Sequence, residues 1–123
     1  MHAPSPSAKL RDEKYISLAT YRRNGQEVLT PVWFAIQGGR LYVMTRSDSG
    51  KFKRIGNNPA IRVAACSVRG RVTGDWIEGQ ARVVPSAEET AARQALARKY
   101  FLMRFPWLWS RKNIFLEISL ASA

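Results

Sequence analysis

The sequence is short of the residues that do chemistry on their own. Its 123 residues include one cysteine, Cys66, and one histidine, His2. A lone cysteine excludes an intramolecular disulfide and a zinc cluster built only on thiolates. A lone histidine in a Pro- and Ser-rich leader argues against a Ser-His-Asp triad, a Cys-His pair or a multi-histidine metal site, so no metal is expected. Acid is scarce: 9 Asp and Glu face 20 Lys and Arg, for a net charge of +11. Long apolar runs are missing too. Nothing approaches the ~20 apolar residues of a spanning helix, and the opening MHAPSPSAKLRDEK lacks the apolar core of a signal peptide. A cytoplasmic protein without a membrane span is expected, with Cys66 a reduced, inert thiol in an apolar strand.

What is present suits one globular unit. The hydrophobic fraction is 46% and the charged fraction 24%, which excludes a mostly disordered chain. Residues 1–13 read as a flexible arm and 14–123 as a single domain. The positive charge is clustered. Arg40, Arg46, Lys51, Lys53, Arg54, Arg62, Arg69 and Arg71 share their stretch with one acid, Asp48. Residues 93–112 hold further basic residues and no acid. Such a surface suits an anionic partner: nucleic acid, acidic lipid or a phosphorylated small molecule.

The pattern is one of strands punctuated by two helices. Tyr15–Arg22 alternates and runs into Asn24-Gly25, a hairpin turn. Glu27–Gln37 is the partner strand, and Gly38-Gly39 turns it into Arg40–Arg46. Pro31 cannot donate to a ladder, which predicts an edge or a bulge there. Ser47 or Ser49 caps a short helix that places Phe52 and Ile55 on one face and stops before Pro59. Ile61–Val68 and Trp76–Val84 are further strands. Ser86 with Glu89 forms a capping-box pattern for a helix reaching about Arg104, and Ile114–Leu120 is the last strand. The order is β-β-β-α-β-β-α-β. A mainly β (β + α) fold is expected: a six-stranded antiparallel split barrel with two helices.

At the level of local chemistry, Lys51 falls in the first turn of a helix, where free N–H groups and the positive dipole end attract anions. Thr45 and Ser49 add hydroxyls, and Lys53 and Arg54 add charge. The segment is not a P-loop, since Phe52 stands where Ser or Thr is required.

LYVMTRSDSGKFKRIGNNP resembles the phosphate-binding segment of the pyridoxamine 5'-phosphate oxidase-like FMN-binding split barrels, in which a strand ends in Thr and Ser-x-Lys and Asn-Pro follow. Here these are Thr45, Ser49, Lys51 and Asn58-Pro59. TPVWF, Thr30–Phe34, is similar to a strand of the F420-dependent branch, and Gly79-Gln80-Ala81 to a later Gly-x-Ala strand. The resemblance spans Lys14 to Leu120. It implies a homodimeric oxidoreductase that binds F420 or, second, FMN between subunits. The cofactor would contact Pro31, Val32, Trp33, Val43, Met44, Thr45, Ser49, Lys51, Lys53 and Trp76. Trp33, Val43 and Met44 read equally as core, and Trp76 equally as ordinary packing or a partner contact. In the oxidase branch an Arg precedes the Lys; here Gly50 stands there, so pyridoxamine phosphate oxidation is not expected. The basic stretch 93–112 would hold the polyglutamate tail of F420.

Because the cofactor does the hydride chemistry, this reading needs no catalytic constellation from the protein. The rival readings are a single-stranded nucleic-acid-binding barrel, drawn from basic charge beside aromatics, and a non-catalytic cofactor- or haem-binding relative. The aromatic run Phe101–Trp109 reads as helix-end packing, as a dimer face or lid, or as a membrane-surface anchor.

Overall fold

The computed structural model describes residues 6–100 and 113–121. Phe101–Trp109, residues 101–112 of the basic stretch 93–112, and His2 lie outside them, as does the expected helix end at Arg104. The described residues form seven strands: β1 (Tyr15–Tyr21), β2 (Glu27–Trp33), β3 (Ala35–Gln37), β4 (Arg40–Arg46), β5 (Ala60–Cys66), β6 (Ile77–Val83) and β7 (Asn113–Leu120). All pair antiparallel in one sheet of order β2-β1-β5-β6-β7-β4-β3. Two helices accompany it, α1 (Gly50–Asn57) and α2 (Glu89–Lys99). Among the described residues no helix is long and apolar enough to cross a membrane.

The fold is the expected mainly β split barrel, with seven strands in place of six. The difference lies at Phe34. The segment expected as one strand, Glu27–Gln37, bonds to β1 before Phe34 and to β4 after it. Its two halves therefore sit at opposite edges of the sheet order and curl it into a half-barrel. Inward and outward side chains still alternate across the break: Val32 and Phe34 enter the barrel core, while Trp33 and Ala35 pack outside it. Pro31 lies on β2, an edge strand, as its missing N–H requires.

The break leaves the backbone of Phe34 without ladder partners, and one side chain supplies them. Tyr100 Oη accepts from the Phe34 N–H at 3.1 Å and lies 2.8 Å from Phe34 O and 2.6 Å from Lys14 O, the acceptors for its own hydrogen. Burial raises this phenol to about 12. Its ring stacks on Trp33, with centroids 4.7 Å apart and planes within 5°. This contact also ends α2 early. Tyr100 is extended (φ −119°, ψ 116°), so the helix stops at Lys99.

Two apolar clusters hold the sheet. Ile16, Leu18, Leu41, Val43, Val63, Leu116 and Ile118 fill the barrel, and Ile55 of α1 plugs one end. Phe115, Val84, Ala92 and Leu96 form a second layer under α2. Residues 6–10, in the expected arm, form a 3-10 turn whose Leu10 is part of the barrel core. Gly79 is required by close approach: a Cβ there would lie 2.5 Å from Ser119 O on β7.

Candidate functional site

β4 alternates strictly, with Leu41, Val43 and Thr45 buried and Tyr42 and Met44 on the outer side. Thr45, one residue before the end of β4, is thus a buried hydroxyl, 7% exposed. Ser49 is the N-cap of α1; its Oγ accepts from the Phe52 N–H at 3.3 Å. Thr45 Oγ1 and Ser49 Oγ are 3.1 Å apart. One mutual hydrogen bond consumes one of the two hydroxyl hydrogens, so the pair keeps one donor for a ligand. Asn58 closes the helix: its N–H donates to Arg54 O at 2.8 Å, and its extended backbone meets the restriction set by Pro59.

Lys51 is half-buried in the first turn of α1, a turn with no acidic residue. Burial pushes its ammonium below the ordinary lysine range, and the charge of Arg54 pushes it further. Among the described residues Lys51 has no ion-pair partner. Asp48, the one acid in the segment, is held by Arg46 through two bonds of 3.0 and 3.1 Å. Arg54 is likewise depressed by burial and by the charge of Arg22. Its Nε donates to the fully buried Thr20 Oγ1 at 2.6 Å. Its guanidinium folds back over Gly50, where a Cβ would lie 2.6 Å from Nη1.

The residues singled out in the sequence separate into three groups. Thr45, Ser49 and Lys51 come together at the start of α1. Lys53 is exposed on the next part of the helix surface, and Arg54 is the cation beside Lys51. Val32 and Val43 point into the barrel core, so only their backbones face outward. Trp33 and Met44 lie on the outer layer with Tyr100 and Phe115. Trp76 is placed elsewhere, with its ring 4.4 Å from the Arg62 guanidinium, which itself forks onto Glu27 at 2.8 and 2.9 Å. Arg54, Thr20 and Tyr100 were not among the expected site residues. The signal for Arg54 was Gly50 four positions before it, on the same helix face; Thr20 and Tyr100 are brought in by tertiary contacts alone.

A curled antiparallel sheet whose fourth strand runs into a short, serine-capped cationic helix is the architecture of the PNPOx-like split barrels. The profile of the pyridoxamine 5'-phosphate oxidase family matches residues 7–113, and the chain belongs to that family. Solved structures share the fold. An F420 reductase is 17% identical with a TM-score of 0.65, over 98% of this chain and 97% of that one. An FAD-binding protein from Mesorhizobium loti is 19% identical with a TM-score of 0.68, over 94% and 85%. The haem storage protein HutZ from Vibrio cholerae is 12% identical with a TM-score of 0.70, over 100% and 93%. A search of the curated proteins gives no significant match.

Proposed function

We propose that the chain is an oxidoreductase that binds a phosphate-bearing flavin-type cofactor, F420 or FMN, by the start of α1. The observation that carries this reading is the half-buried Lys51, which has no counter-ion among the described residues and stands beside the capped Thr45–Ser49 pair. Holding a cation there without a partner is unfavourable, and a bound oxyanion relieves it with charge-assisted hydrogen bonds. The donor set fits a phosphate: a hydroxyl hydrogen, an ammonium and the free N–H groups of the first helical turn.

Once bound, the cofactor supplies hydride transfer to or from a small molecule. The protein's part is to bind and orient. Lys51, Ser49 and Thr45 hold the phosphate. Pro31–Trp33 on the edge strand and Val43–Met44 near the end of β4 would contact the ring, with Trp33 kept in place by its stack on Tyr100. The same reading has a second copy of the chain complete the ring slot, giving a homodimer in the cytoplasm.

The test is a fluorescence titration of the purified chain with F420 and with FMN, repeated for Lys51→Ala. Binding of at least one, weakened roughly ten- to a hundredfold by the substitution, is expected from the loss of one charged hydrogen bond. Haem and a single-stranded oligonucleotide serve as rival ligands. A chain that takes neither dye, or binds the oligonucleotide with a steep salt dependence, refutes the proposal.

A further inference from the structure

The geometry points to Arg54 as the second grip on the anion, and to a doubly charged phosphate monoester as the group gripped. This inference rests on the phosphate reading above and narrows it. It begins with what Arg54 does not do. Its Nε is used, donating to Thr20 Oγ1 at 2.6 Å, while neither terminal nitrogen has a partner among the described residues. Thr20 is fully buried on β1, so this bond anchors the stem and presents the fork. The fork lies over Gly50, in the volume that a side chain at position 50 would fill, with Nη1 2.6 Å from the site of its Cβ. Arg54 reaches the N-terminal turn of α1 because position 50 is empty, and it does so one residue from Lys51.

Charge then selects the ligand. The groups facing the fork are Lys51 and Gly50 on α1, Thr20 on β1 and Arg22 just past it. None of these four residues is acidic, and Asp48, the nearest acid in sequence among the described residues, is held by Arg46. Two adjacent uncompensated cations, with Arg22 behind them, match two negative charges better than one. A terminal phosphate monoester such as that of FMN carries a charge between −1.5 and −2 at neutral pH, with its second ionisation near pH 6. A phosphodiester, as within F420, carries only one.

The experiment measures FMN affinity from about pH 5 to 8 across that ionisation. Wild type should tighten roughly tenfold as the second proton leaves, and should prefer FMN to F420. Arg54→Gln should lose most of the pH dependence while still binding weakly through Lys51. Gly50→Ala, which displaces the fork without removing any charge, should weaken FMN in the same direction, and thermal melting identifies any variant that fails to fold. A flat wild-type profile, or Arg54→Gln and Gly50→Ala variants that bind FMN like wild type, overturns the role of Arg54. Failure of wild type to bind either dye overturns the phosphate reading itself.

Discussion

Two basic regions of the barrel differ in whether the fold brings an acid to them. On the outer face of β7, Glu117 is buried at 6% exposure and surrounded by donors. Arg40 reaches it at 3.0 Å, Arg82 at 3.0 and 3.2 Å, and the Tyr42 hydroxyl at 3.0 Å. These bonds hold the carboxyl below the usual carboxylate range, Arg82 foremost. At the start of α1, Lys51 and Arg54 have no carboxylate to meet them among the described residues. A count of basic residues along the sequence does not distinguish the two regions, because the acid that neutralises Arg40 is 77 positions away. A cluster marks a ligand site when its charges are left over after the fold has paired what it can.

The comparison is broken most strongly at Glu117. Glu117→Ala strands Arg40 and the part-buried Tyr42 hydroxyl, and leaves Arg82 only Glu88 at 3.5 Å. Arg40 and Arg82 are about half-exposed and regain water, so the loss should be roughly 2–4 kcal/mol, at or below the range for a fully buried pair; urea denaturation at neutral pH measures it. The pH dependence follows from the same group. The folded-state pKa of Glu117 lies below its unfolded value, so its contribution is present above the unfolded pKa near 4.5 and is lost as pH falls through the folded one. Wild type should therefore lose stability below about pH 4.5 more steeply than Glu117→Gln, and parallel acid limbs would contradict this.

A smaller effect is expected at the barrel seam. Tyr100→Phe keeps the stack on Trp33 but leaves the Phe34 N–H and two carbonyls without their partner. It should cost about 1–3 kcal/mol, read as a lowered melting temperature. The smallest effect sharpens the comparison by changing sign. Lys51→Met removes a partly buried charge beside Arg54, so the cofactor-free protein should be stabilised by ~0.2–0.5 kcal/mol, the scale of a relieved like-charge pair on one helix face. Any destabilisation beyond that scale would mean that Lys51 is paired after all.

Local chemistry accounts for which features were readable. The Asn24-Gly25 and Gly38-Gly39 turns were foreseen, and the glycines carry the positive φ values such turns need: 87° at Gly25, 61° and 78° at the pair. The Ser49 cap and the Asn58-Pro59 stop were likewise local and are found as expected. Features set by distant partners were not readable. The division of one strand at Phe34 depends on which edge each half meets, and the early end of α2 depends on Tyr100 reaching that division. The capping box at Ser86 and Glu89 failed for a short-range reason: Glu89 is drawn forward to Arg93 at 3.2 Å, and Ser86–Glu88 form a 3-10 turn. At the candidate site, the family resemblance singled out Thr45, Ser49 and Lys51, which come together at the start of α1. Arg54 could not be ranked above Lys53, because only the fold reveals Thr20 beneath it.

The leftover positive charge at the start of α1 is proposed to hold a phosphate. Comparing the affinities of FMN and riboflavin for the wild-type chain tests it most directly, since the two share the ring and differ in that group. A preference for FMN of roughly a hundredfold, the worth of one or two charge-assisted hydrogen bonds, that collapses as salt is raised is the predicted result. Equal binding of the two dyes would contradict the account.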